Sequence, residues 1–226
     1  MTRKDTAQKK HPFDIVTAEF AGAIARPEDE KTLPVLGAEV AFAGRSNVGK
    51  SSLINTLAAR RGLVRVSSTP GCTRQINFFN ARARDELNLV LVDLPGYGFA
   101  RRSKTERAEW ATLIENYLAK RSTLRALVVL VDARRGVEDD DKELIDFMNA
   151  ARKSPTGILC VATKLDKVPA SKRAQAIQAV RKSAGVPAVG FSSETREGFD
   201  ACWRAIRHAA GFTIAADATN LPVEGA

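Results

Sequence analysis

The stretch Gly44-Arg45-Ser46-Asn47-Val48-Gly49-Lys50-Ser51 constrains this chain more than any other. It follows an apolar run over 39–43 and leads into a helical pattern over 50–59, so a turn bracketed by glycines joins a buried strand to a helix N-terminus. Glycine reaches backbone conformations that turn successive N–H groups inward, and the helix N-terminus adds partial positive charge. Together they form a cradle for phosphate. In this setting Lys50 is expected to meet the β and γ phosphates of a nucleotide, and Ser51 to offer its hydroxyl to Mg2+.

Further apolar runs at 89–92, 126–131, 158–162 and 188–191 alternate with helical patterns at 104–121, 139–151, 171–184 and 198–210. The alternation predicts a doubly wound α/β fold, with a mostly parallel sheet and helices on both faces. Residues 75–83 read as a strand joined to the run at 89 through the polar segment Arg84-Asp85-Glu86, a hairpin that makes one edge strand antiparallel. One domain over 13–212 is expected within the 226 residues, with flexible polar or small-residue tails at 1–12 and 213–226.

Two of the runs end in residues suited to the same ligand. After 89–92 comes Asp93-Leu94-Pro95-Gly96, in which Asp93 can hold magnesium through water and Gly96 can offer its amide to the γ phosphate. After 158–162 comes Thr163-Lys164-Leu165-Asp166. The Asp166 carboxylate can accept from the ring N–H and exocyclic amine of guanine, an arrangement adenine lacks, while the stem of Lys164 lies over the ring. Phe191-Ser192-Ser193 closes the last run, where backbone amides can meet the guanine carbonyl. Between the first two motifs runs the polar loop Ser67 to Arg74, with Thr69 and Thr73 both eligible to bind magnesium only when GTP is present; residue type does not choose between them.

Composition narrows the setting. No apolar stretch approaches the roughly 20 residues of a membrane span, and the charged N-terminus is not followed by an apolar core, so a cytoplasmic location and no membrane partner are expected. Cys72, Cys160 and Cys202 lack paired spacing and read as free thiols. A formal charge of +9 suits a polyanionic partner, nucleic acid first, and equally a surface that is simply well solvated.

Taken together, GRSNVGKS, TPGCT, DLPGYG, TKLD and FSS resemble the signature segments of translation-factor-related GTPases. The longer strings STPGCTRQINFF, LVDLPGYGFARRSKTERAEW and LIENYLAKR are similar to the EngB family of bacterial ribosome-biogenesis GTPases, over roughly 13–212. The resemblance implies slow hydrolysis of GTP to GDP by a monomer, a role in large ribosomal subunit assembly, and a need for it in normal division and septation. It implies that Ser51 and Thr73 ligate Mg2+, that Gly71, Cys72, Thr73, Arg74 and Gln75 line the nucleotide, and that Lys50, Thr73, Gly96 and Asn47 act at the reacting phosphate.

Two positions depart from the general GTPase pattern: Thr163 stands where asparagine is usual, and Tyr97 stands where Ras-like proteins carry the glutamine that orients water. Related GTPases without that glutamine use K+ held partly by a phosphate-loop asparagine, and Asn47 matches that position; a loop-stabilising side chain is its other reading. Arg101, Arg102, Lys104 and Arg107 follow the DLPGYG segment, which places positive charge where ribosomal RNA would sense nucleotide state. The competing functions are a P-loop ATPase or phosphotransferase, and a GTP-dependent scaffold that does not hydrolyse.

Overall fold

The apolar runs become the inner strands of a single sheet. A computed structural model describes residues 12–32, 37–64, 75–97, 104–151 and 156–212. In chain order the elements are β1 (Ile15–Ile24), β2 (Glu39–Gly44), α1 (Lys50–Leu57), β3 (Ile76–Ala83), β4 (Asn88–Asp93), α2 (Lys104–Lys120), β5 (Leu124–Asp132), α3 (Asp139–Ala151), β6 (Gly157–Thr163), α4 (Arg173–Ala184), β7 (Ala188–Gly190) and α5 (Phe199–Ala209). Spatial order across the sheet is β1-β3-β4-β2-β5-β6-β7.

Strands β4, β2, β5, β6 and β7 are mutually parallel, and β3 runs against both β4 and β1. The mostly parallel architecture is thus as expected, but the hairpin strand β3 lies one place in from the edge. Strand β1, which the sequence did not announce, covers it. The reason lies in β1 itself: only Ile15 and Ile24 are buried, and two register irregularities, at Ile15/Thr17 and Phe20/Gly22, break the alternation by which a half-buried strand is recognised.

Helices α2, α3 and α4 pack on one face of the sheet and α1 and α5 on the other. Helix α5 buries Phe199, Cys202, Trp203 and Ile206, spaced i, i+3, i+4 and i+7, which is the stripe that one turn per 3.6 residues aligns. Every residue of β2 is buried, including Glu39. Its carboxylate accepts from Tyr117 Oη at 2.9 Å, Arg121 Nε at 2.8 Å and Thr123 Oγ1 at 2.7 Å, so the charge is matched at the strand's N-terminal end.

At the opposite end the parallel strands finish together. Phe42 is level with Asp93, and Asp132 with Thr163. The loops after β2, β4, β5, β6 and β7 therefore share the carboxyl edge of the sheet, where α/β folds bind ligands. Among the described residues, no helix is long and apolar enough to cross a membrane.

Candidate functional site

The loop from Arg45 to Gly49 leaves β2 in a tight turn. Asn47 (φ 60°) and Gly49 (φ 108°) both take left-handed conformations, which asparagine tolerates better than most residues and glycine adopts freely. At Gly44 a Cβ would stand 2.8 Å from Val48 Cγ1 and 3.0 Å from the Leu130 carbonyl oxygen, so the strand end has no room for a side chain. The loop is also strapped to the segment after β4, because the Ser46 N–H donates to the Tyr97 carbonyl at 3.1 Å. Arg45 reaches the start of α3, 2.9 Å from Glu138 and 3.1 Å from Asp140.

Lys50 opens α1 and donates to Asp93 at the end of β4, and both side chains are buried. A buried carboxylate needs a cation beside it, and in this state the ammonium fills that place. Hydroxyl and carboxylate oxygens are the hard donors that Mg2+ takes, so Asp93 and Ser51, in the first turn of α1, fit that ion. Among the described residues no three His, Cys, Asp or Glu side chains cluster as a cage. A metal here would complete its shell with phosphate and water, as Mg2+ does in phosphoryl-transfer sites.

Leu94 and Pro95 are buried, and an ideal Cβ on Gly96 would lie 3.5 Å from Ser46, so this segment runs close along the phosphate loop. Tyr97 turns away from it. Its ring is buried and its hydroxyl donates to Asp141 Oδ1 at 2.7 Å, in the first turn of α3. The other oxygen, Asp141 Oδ2, accepts from the Glu138 N–H at 2.9 Å, capping the helix. Burial first, then the Asp141 charge, pushes the Tyr97 hydroxyl well above its ordinary pKa, and burial likewise raises Asp141.

The base-reading side is joined to the loop by two contacts. Thr163 Oγ1 lies 2.6 Å from the Val48 carbonyl and 3.0 Å from that of Val131, and its single hydrogen serves one at a time. Lys164, itself left-handed at φ 56°, sends Nζ to the Asn47 carbonyl at 2.6 Å and to Asp132 Oδ2 at 3.2 Å. Asp166 accepts from Ser192 Oγ at 2.7 Å and pairs with Lys167 at 3.2 Å. The Ser192 hydrogen bond, with Lys167, outweighs desolvation and holds Asp166 below the usual carboxylate range. Leu165 and Phe191 are joined by an N–H···O bond of 3.2 Å, and Ser193 is half-buried beside Ser192.

Of the residues singled out in the sequence, Gly44 to Ser51, Asp93 to Gly96, Thr163 to Asp166 and Phe191 to Ser193 thus meet along one sheet edge. Gln75 is exposed just before β3. Thr69, Gly71, Cys72, Thr73, Arg74, Arg101 and Arg102 lie outside the described residues, and Lys104 begins α2. Asp132, Glu138 and Asp141 were missed, and Arg134, which the sequence offers only as half of the basic pair Arg134-Arg135, is paired with Asp132. Asp132 did carry a signal, since it closes an apolar run just as Asp93 does.

A family model described as 50S ribosome-binding GTPase matches residues 39–164. A probable GTP-binding protein EngB of Desulforapulum autotrophicum is 48% identical over 193 residues, covering 84% of this chain and 95% of that one. Its counterpart in Geobacter sulfurreducens is 41% identical over 216 residues, 94% of this chain and 98% of that one. Among solved structures, a probable GTP-binding protein EngB aligns with a TM-score of 0.60 at 24% identity, over 77% of this chain and 99% of the other. Era, crystallised with MgGDPNP and a segment of 16S ribosomal RNA, aligns with a TM-score of 0.64 at 21% identity, over 84% of this chain and 60% of its own. At these identities the two structural matches speak for the fold alone.

Proposed function

Because the chain belongs to the EngB family of GTP-binding proteins, which are GTP-hydrolysing enzymes, we infer that it is a slow switch whose nucleotide state governs docking on the large ribosomal subunit or its precursor. The working unit is the G domain over 13–212, acting as a cytoplasmic monomer on which normal division and septation depend. The observation that carries this reading is the convergence of Lys50, Asp93, Lys164 and Asp166 on one sheet edge, linked through the phosphate loop.

The chain's own groups divide the work. Lys164 and Asp166 hold guanine, with the amides after Phe191 and at Ser192 and Ser193 near its carbonyl. The amides of Gly44 to Ser51 cradle the phosphates, and Lys50 exchanges Asp93 for phosphate oxygens. Ser51, Thr73 and, through water, Asp93 would hold Mg2+, which when bound neutralises phosphate charge during transfer. The Gly71 to Gln75 segment and the Gly96 amide report the γ phosphate. Hydrolysis is slow because the side chain after Gly96 orients no water: the Tyr97 hydroxyl is committed to Asp141.

Asn47 is exposed within the loop, with a side chain available to a monovalent ion. Single-turnover hydrolysis is expected to run about tenfold faster in K+ than in Na+ at equal ionic strength, roughly 1.4 kcal/mol of barrier. Equal rates would leave Asn47 the conformational role that its positive φ gives it.

The ribosomal partner is supported by charge. From Lys167 to Ser193 the chain has no acidic residue, and Lys172, Arg181 and Lys182 are exposed along and just before α4. Arg101 and Arg102 add charge just after the DLPGYG segment. In sedimentation with purified large subunits, the form bound to a non-hydrolysable GTP analogue is expected to co-pellet and the GDP form to remain in solution. If six or more phosphates are contacted, affinity falls by about 10³-fold between 50 and 200 mM salt. Co-sedimentation that ignores nucleotide or salt would reject the switch.

A further inference from the structure

Lys164 is a long, flexible side chain asked to present its stem as a flat support for a purine, and such a side chain helps binding only if something else holds it still. Its ammonium has two anchors: the Asn47 carbonyl at 2.6 Å and the Asp132 carboxylate at 3.2 Å. The carbonyl is a neutral acceptor that any residue would supply, so the second anchor is the one whose charge and side-chain identity matter for placing Lys164.

Asp132 ends β5, level with Thr163 at the end of β6, and is buried at 7% exposure. Besides Lys164 it engages Arg134 three times, through the backbone N–H at 3.0 Å, Nε at 2.9 Å and Nη2 at 2.6 Å. Burial works against its ionisation, but the Arg134 and Lys164 hydrogen bonds win, holding the carboxyl far below the usual range. It is therefore a fixed negative charge at every physiological pH. Its turn-forming role, accepting from the Arg134 N–H, needs only an oxygen; its hold on Lys164 needs the charge.

We propose that Asp132 is a positioning residue for guanine binding, fixing Lys164 between the end of β5 and the phosphate loop so that the base meets a preformed support. The proposal rests on the assignment of Lys164 and Asp166 to the base. Asp132→Asn separates its two roles, since the amide oxygen still closes the turn while the charge is gone.

The test follows release of a fluorescent GDP analogue and, in the same protein, its displacement by inorganic tripolyphosphate, which has no base. Wild-type preference for GTP over ATP is measured first; its absence overturns the guanine assignment and this proposal with it. Given that preference, Asp132→Asn is expected to speed GDP and GTP release about tenfold and equally. Affinity for tripolyphosphate should change less than twofold. Unchanged release, or a matching loss for tripolyphosphate, overturns the positioning role. In a Lys164→Met background Asp132→Asn should add nothing, and an undiminished effect there also overturns it. Should Asp132→Asn fail to fold, Arg134→Gln keeps the question open to refutation. It removes the competing cation from Asp132, so release should stay at the wild-type rate or slow, and a several-fold acceleration overturns the proposal.

Discussion

Asp166→Asn is expected to weaken GTP binding by about 150-fold, near 3 kcal/mol, and to make the xanthine nucleotide the preferred ligand. The wild-type carboxylate offers two acceptors to two donors on guanine, and the Ser192 hydroxyl and Lys167 keep it ionised and oriented. An amide puts an NH2 group against a guanine donor, leaving both desolvated without a partner. Xanthine, with an oxygen at the corresponding carbon, restores the match. The fold should be indifferent, because the amide oxygen still accepts from Ser192. Competition binding with GTP, XTP and ATP reads the outcome, and a variant that binds GTP as tightly as wild type would move base reading away from Asp166.

The second large effect falls on stability and binding together. Lys50→Met keeps the aliphatic stem but removes the only cation paired with Asp93 among the described residues, and Asp93 is 1% exposed. Breaking a buried pair by deleting one partner typically costs about 3–5 kcal/mol. For a domain of this size that corresponds to a melting temperature lower by roughly 10 °C in nucleotide-free protein. GTP affinity should fall by a further factor of about 30–100, from the lost charge-assisted contact with phosphate. Thermal unfolding without nucleotide and equilibrium binding with it separate the two losses. Unchanged melting would mean that the Asp93 charge is balanced elsewhere.

The place of the candidate site was legible where an apolar run is closed by a recognisable motif. Asp93, Thr163 and Ser192 were placed at strand ends in this way, and the sheet does bring those ends to one edge. What escaped depends on contacts between distant segments. The Tyr97 side chain was recognisable as unable to do a glutamine's work, but its partner Asp141 is 44 residues further on, and neither local sequence predicts the other. Asp132 reads in isolation as an ordinary end to β5; only the lysine brought level with it by the β5–β6 register gives it a use. Strand β1 escaped for a different reason: its irregular register scatters buried positions that period-two reading needs in step.

The ties from β6 and its following turn to the phosphate loop end on the carbonyl oxygens of Val48 and Asn47. Every amino acid supplies that oxygen, so these attachments are blind to side-chain identity. The loop is thus a scaffold whose chemistry can be exchanged without loosening its moorings. Backbone shape sets the range of exchange: at φ 60°, position 47 suits asparagine, aspartate and glycine and disfavours β-branched residues. A lineage or an engineer could exchange that one side chain while Thr163 and Lys164 continue to hold the same main-chain atoms in place.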